Sequence, residues 1–284
     1  MTETLILTTA LKEERDYWLS RLSGELGGGD LPTDFKRSKV YSAKRGEVAI
    51  PLPEDLGRRL LAFAKDSSFL TYTTLMAALK VCLHKYTGAG LVVVGSPPYR
   101  QAEAPPQPPN VLAVADHVED AESFRGLLVK VRENLTGGYA RQGYPFAQLV
   151  KDLGLEAAEN RCPLFDVVLV LADIHGELPA LKNDLTFTFD RTGGGVEGRV
   201  AFNARLFKRE TVERLAGHFV NVLRGALDDS SAPVSRLSLL GEDEREQIVR
   251  GWNDTREDYP RDACLHQLFE EQAARTPDAV ALVF

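Results

Sequence analysis

The uninterrupted apolar run Leu91–Gly95, flanked by Gly90 and Pro97, most constrains what this chain can fold into. A short apolar run without alternation reads as a strand covered on both faces. An amphipathic helix precedes it over about 74–86, with Leu75, Leu79, Leu83 and Tyr86 as its inner stripe and Met76 and Cys82 widening that stripe. A doubly covered strand next to such a helix points to mixed α and β structure.

Proline and glycine punctuate the rest. A helix is expected over 11–22, with Leu11, Trp18 and Leu22 on one stripe, ending in a glycine-rich loop over 24–32. A strand follows over 47–52. Pro53 then opens a helix carrying Leu56, Leu60 and Phe63 inward. Between Ser96 and Asn110 lie six prolines, and this stretch cannot be regular structure. Further on, the pattern predicts a strand over 111–117, helices over 121–135 and 146–153, and a buried strand over 165–171. The segments 185–189 and 196–203 alternate around Thr192-Gly193-Gly194-Gly195 and read as a hairpin with one wet face. A long helix over 208–227 turns Val212, Leu215, Phe219, Val222 and Leu223 inward. The character changes after Asp229: a linker over 230–240, helices over 242–252 and 264–275, the polar stretch NDTREDYPRD between them, and an apolar strand over 279–284. A chain that stops inside a strand suggests a piece of something longer.

Composition excludes several classes. Apolar residues make up 44% and charged residues 26% of 284, so disordered and collagen-like chains are out. The formal charge of −7 argues against a nucleic-acid binder. No apolar run reaches the roughly 20 residues of a membrane helix, and the N-terminus lacks the basic region of a secretory signal. The three cysteines, Cys82, Cys162 and Cys264, fit neither a disulfide framework nor a zinc site and read as reduced thiols of a cytoplasmic protein.

Catalytic constellations are incomplete. The five histidines, His84, His117, His175, His218 and His266, show no metal-ligand pairing, and no HExxH, CxxC or GxSxG occurs. His84 and His218 sit in amphipathic helices, and His175 in a loop beside Gly176. Asp116 and His117 are neighbours in a strand and point to opposite faces, so they form no dyad. Gly27-Gly28-Gly29 and Gly193-Gly194-Gly195 lack the Lys-Ser/Thr of a phosphate loop and read as turns. The sequons at Asn134 and Asn253 are read as chance matches. No catalytic residue, metal site or resident cofactor is assigned.

Several stretches resemble the condensation domains of non-ribosomal peptide synthetases. Arg141-Gln142-Gly143-Tyr144-Pro145-Phe146 is similar to the family's HQDYPFE motif. Asn160-Arg161-Cys162-Pro163-Leu164-Phe165 is similar to SRNPLF, with Asn for Ser and Cys for Asn. The helix from Phe124 to Glu133 resembles FRxLLxxVRE, and the stretch from Leu75 through VVVGSP resembles the family's helix–strand pair. The order of the four is also that of the family. The tail WNDTREDYPRDACLHQLFEEQAARTPDAVALVF resembles the linker from a condensation domain into an adenylation domain.

The resemblance implies a mixed α/β chloramphenicol-acetyltransferase-like fold, of which this chain carries a single lobe: a mixed sheet packed by helices, plus a C-terminal helical linker. It divides the chain into an acceptor-side lobe over 1–240, a linker over 241–276 and the start of an adenylation domain over 277–284. Trp252, Leu265, Leu268 and Phe269 would dock the linker. The family's HHxxxDG motif, whose second His assists attack of the acceptor amine on the donor thioester, has no counterpart here. Where the family has Gly-Phe-Phe-Val-Asn, this chain has Gln107-Pro108-Pro109-Asn110, which leaves Asn110 as the matching position. Gln142, Tyr144, Pro145 and Phe146 are read as structural, with Pro145 at the first helical position. Arg161 is read as capping a local network, or as a contact to the missing lobe or a carrier domain. Pro163, Leu164 and Phe165 are read as core.

Amide formation needs a positioned base and two substrates held together. The implied function is therefore a truncated condensation domain without activity of its own, a platform for an adenylation domain in an initiating module. Its partners would be that adenylation domain in cis and a carrier domain bearing phosphopantetheine. The alternative is one half of a split enzyme, completed in trans by a separate lobe. A plain fragment of a synthetase, or an unrelated acyltransferase of the same fold, stays open beside these.

Overall fold

The computed structural model describes residues 11–22, 31–100, 109–156, 158–258 and 262–283. The triglycine at Gly27, most of the proline-rich stretch with Gln107 and Pro108, Tyr259–Arg261 and Phe284 lie outside them. The chain divides into two compact units with the break after Gly241.

The first unit is built on a six-stranded mixed sheet in the order β1-β6-β5-β4-β2-β3. Its strands are β1 (Arg45–Ile50), β2 (Leu91–Ser96), β3 (Leu112–His117), β4 (Val167–Leu171), β5 (Leu185–Thr192) and β6 (Gly195–Asn203). β4 runs parallel to both β2 and β5, and the remaining neighbours are antiparallel. β5 and β6 form the expected hairpin, with Thr192 opposite Gly195. Phe187, Phe189 and Val200 point inward, while Thr186, Thr188 and Arg199 point outward.

Its helices are α1 (Lys12–Leu22), α2 (Glu54–Phe63), α3 (Ser68–Thr87), α4 (Phe124–Tyr139), α5 (Phe146–Asp152) and α6 (Arg209–Asp228). The major core lies on one face of the sheet. There Leu56 and Leu60 of α2, Leu75 and Leu79 of α3, Leu127 and Val131 of α4, and Phe219 and Leu223 of α6 meet the inward residues of the strands. A second core lies on the opposite face, where Trp18 and Leu22 of α1, Leu149 of α5, Leu164 and Phe165 pack against Ala113, Ala115 and Val168.

Four expectations need correction. Helix α3 starts at Ser68, six residues before the expected Thr74. Its first turns are rich in threonine, which favours strands, but each hydroxyl is satisfied inside the helix. Thr71, Thr73 and Thr74 donate to the carbonyls of Ser67, Phe69 and Leu70 at 3.0, 2.7 and 2.8 Å. Ser67 caps the start by accepting from Leu70 N–H, and Gly88 closes the end at φ 69°. Phe63, expected inward, is exposed at the end of α2.

The supposed linker over 230–240 belongs to the first unit. Val234 is fully buried, and its N–H donates to Glu122 O at 2.8 Å. Phe124 N–H donates to Ala232 O, so this segment ties the end of α6 to the start of α4. The apolar run from Ala279 to Val283 forms no strand among the described residues, and Val280, Leu282 and Val283 are exposed. A strand needs a neighbouring strand to pair with, and the described residues of the second unit hold none.

The second unit holds α7 (Glu242–Val249), a 3₁₀ turn (Gly251–Asn253) and α8 (Leu265–Arg275). Neither helix has a buried residue. No described helix is long and apolar enough to cross a membrane.

Candidate functional site

The two motif segments meet on the second face of the sheet. Gly95 of β2 makes the meeting possible: a Cβ there would come within 2.5 Å of the Phe165 ring. Phe165 fills that space and stacks on Phe146 with ring centroids 5.5 Å apart. Phe165 and Leu164 are buried, while Phe146 and Pro163 are half-buried.

Asn110 holds the first motif together. Its Nδ2 donates to Gln142 O and Tyr144 O, both at 2.9 Å, and its Oδ1 accepts from Phe146 N–H at 3.1 Å. The last bond caps α5 from another part of the chain. Pro145 therefore precedes the helix, with ψ 130°, instead of occupying its first turn as expected. A proline has no side chain to cap a helix, so the cap comes from outside. Gln142 is buried and pairs with the backbone of Tyr99: Oε1 accepts Tyr99 N–H at 2.8 Å, and Nε2 donates to Tyr99 O at 3.2 Å. Tyr144 donates its hydroxyl to Asp152, which also pairs with Arg15 at 3.0 Å. Burial first, then that bond, pushes the Tyr144 phenol up to about 12.

The second motif borders a cleft of about 590 Å³ at the amino-terminal ends of β2 and β4. Leu91, Val93, Leu155, Leu164 and Phe165 make its apolar walls, and Arg161 and Asp166 lie on its polar side. Arg161 is paired with Asp166, and Arg37 with Asp184. Burial, with the nearby Asp184 charge adding to it, raises the Asp166 carboxyl, and the Arg161 and Arg37 guanidinium groups oppose that rise. Burial pushes the Cys162 thiol up to about 11, so it is a packing residue and no nucleophile. In the second unit Trp252, Leu265 and Phe269 are exposed and Leu268 is half-buried.

The histidines are dispersed. His84 Nδ1 lies 2.7 Å from Ala89 O, and His218 Nδ1 lies 2.6 Å from the Tyr86 hydroxyl. His117, at the end of β3, is exposed while Asp116 is buried. His175 is buried beyond the carboxyl end of β4, the end opposite the cleft. No group of three or more described His, Cys, Asp and Glu residues could hold a metal ion.

Two features escaped the sequence reading. Lys80 and Asp116 form a fully buried ion pair at 2.9 Å. The ammonium also donates to Val92 O at 2.9 Å and Val114 O at 2.6 Å, and Asn134 donates to Asp116. A lysine between Leu79 and Leu83 on an inner helical stripe was the available signal. The other is the polar cluster of Tyr72, Ser96, Tyr139 and His175, for which single residues in separate elements gave no pattern.

Comparison with known proteins places these observations. The family model for the condensation domain matches residues 3–249. Bacitracin synthase 3 of Bacillus licheniformis is 34% identical over 294 residues, which is 96% of this chain and 5% of that protein. Tyrocidine synthase 3 of Brevibacillus parabrevis is 33% identical over 291 residues, 95% of this chain and 4% of its own length. The chain thus spans about one-twentieth of these relatives. Among solved structures, a holo four-domain nonribosomal peptide synthetase bound to AMP and glycine aligns at TM-score 0.79 and 16% identity, covering 95% of this chain and 23% of that one. The X-domain of teicoplanin biosynthesis in complex with OxyB aligns at 0.70 and 23% identity, covering 82% and 56%. The fold is the chloramphenicol-acetyltransferase-like fold of these proteins.

Proposed function

The chain belongs to the condensation-domain family of non-ribosomal peptide synthetases, and from that premise we propose that it is an acceptor-side lobe that serves as a platform for an adjoining adenylation domain and forms no amide bond by itself. One observation carries this reading: the motif positions spend their polar atoms inside the lobe. Asn110 clamps three backbone groups, Gln142 pairs with Tyr99, and Arg161 pairs with Asp166. None of them is left to orient an amine or to take its proton, which a positioned base must do. The sequence contains no adjacent histidine pair that could serve instead.

The exposed Trp252, Leu265 and Phe269 support a docking role for the second unit, because large apolar side chains gain from being covered. Residues 241–276 are then the linker to the adenylation domain, and the carrier domain of the same synthetase is the further partner. Phosphopantetheine is that carrier's group. Arg161, which lines the cleft, is already paired with Asp166, so it is not assigned to its phosphate.

The test extends the chain through its adenylation domain and measures amino-acid-dependent ATP–pyrophosphate exchange with and without residues 1–240. Loss of exchange or of soluble protein on deletion supports the platform. Unchanged exchange removes it. Amide formation on adding a separately expressed N-terminal lobe would instead identify one half of a split enzyme.

A further inference from the structure

His175 sits where three elements converge beyond the carboxyl ends of β2 and β4. It is 2% exposed. Its Nδ1 accepts Leu171 N–H at 2.9 Å, so the ring proton belongs on Nε2. Nε2 lies 2.9 Å from the Tyr139 hydroxyl at the end of α4, and that hydroxyl lies 3.1 Å from Ser96 Oγ, the last residue of β2. Ser96 Oγ lies 3.1 Å from Pro97 O and 2.8 Å from the hydroxyl of Tyr72 of α3, which itself lies 3.1 Å from Leu169 O. Tyr72 also packs its ring edge-on against the imidazole at 4.4 Å. The bonds link the Leu171 amide through His175 and Tyr139 to Ser96 at the end of β2.

The His175 backbone extends the same junction. Its carbonyl accepts the Arg100 guanidinium at 2.6 Å, Arg100 N–H donates to Ile174 O at 2.7 Å, and Gly176 N–H donates to Pro98 O at 3.3 Å. The segment 97–100 is thereby stitched to 174–176. Tyr99, in the middle of that segment, is the residue whose N–H and C=O engage Gln142.

We propose that His175 is the positioning residue for the RQGYPF segment: its ring nitrogens join β4 to α4, its carbonyl anchors Arg100, and the strand end fixed in this way presents Tyr99 to Gln142. The assignment does not rest on the platform reading. Among the described residues, the titratable and charged groups facing the imidazole are Tyr72 from α3, Tyr139 from α4 and Arg100 from the segment after β2. Burial, with the Arg100 charge adding to it, pulls the imidazole down to about 3, so it keeps one donor and one acceptor. A protonated ring would present two donors, one of them aimed at the Leu171 N–H.

The test is amide hydrogen exchange on the full chain, comparing wild type with Tyr139→Phe and His175→Gln. Tyr139→Phe keeps the ring packing and removes only the hydroxyl. The amides of Tyr99 and Arg100 should lose at least about tenfold in protection in both variants, with those of Phe187 and Val200 in the β5–β6 hairpin changing less than about twofold. NMR of the wild-type imidazole should show the Nε2–H tautomer with no titration between about pH 8 and 5. Unchanged protection at Tyr99 and Arg100, equal loss in the hairpin, or an imidazole titrating near its ordinary value would each overturn the assignment.

Discussion

The two halves of the sheet solve the same burial problem differently. The half made of β3, β2 and β4 is covered on both faces, with α1, α5 and the Leu164–Phe165 segment over the second. The half made of β5, β6 and β1 is covered on one face only, and its other face carries Thr186, Thr188, Glu197, Arg199 and Glu47. Every motif residue lies in the doubly covered half. There polar groups cannot be left to water, so each must find a partner in the protein. On the open face polar side chains are solvated and free to vary.

The comparison is broken most severely by Lys80→Ala. It strands Asp116 in the doubly covered half, and urea denaturation should show a loss of roughly 3–5 kcal/mol. A loss under about 1 kcal/mol would mean that water reaches the pair. Next comes Trp18→Ala, which removes the main apolar anchor of α1 from the second face. Trp18 also donates to Arg141 O at 3.2 Å. The expected cost is about 3 kcal/mol, read as a shifted urea midpoint. If the midpoint holds, α1 is not the cover.

The third effect follows pH. His175 binds its proton less well folded than unfolded, so stability is full above the unfolded value near 6.5 and declines as pH falls toward about 3. Between pH 6.5 and 5 this group should cost about 1.5 kcal/mol. Urea titrations of wild type and His175→Gln across that interval should differ in slope by this amount, and parallel curves would contradict it. The smallest effect belongs to the open face. Arg199 pairs with Asp190 at 2.7 Å and Glu47 at 3.7 Å, all three well exposed. Arg199→Ala should change stability by less than about 0.5 kcal/mol. A loss above about 1 kcal/mol would mean that this face is not solvated.

The sequence made the open half and the major core legible because alternation and helical stripes report which face a residue occupies. The stripe of α6 and the β5–β6 hairpin follow that rule residue by residue. What periodicity does not report is a partner. Lys80 and Asp116 stand 36 positions apart, and nothing in either local pattern couples them. The start of α3 was hidden by threonines whose hydroxyls turn inward to their own helix. In the site, the motif segments themselves were readable by resemblance. Their roles were not, because Asn110 caps a helix that begins at Phe146 and Gln142 pairs with a backbone 43 residues earlier. The apolar run over 279–283 shows the opposite error: a residue pattern suited to a strand forms none among the described residues.

The bonds made by Gln142 and Asn110 have one more consequence. Gln142 grips Tyr99, and Asn110 grips the carbonyl of that same Gln142. Both feet of the proline-rich stretch thus stand on a single residue, whose side chain holds Tyr99 and whose carbonyl holds Asn110.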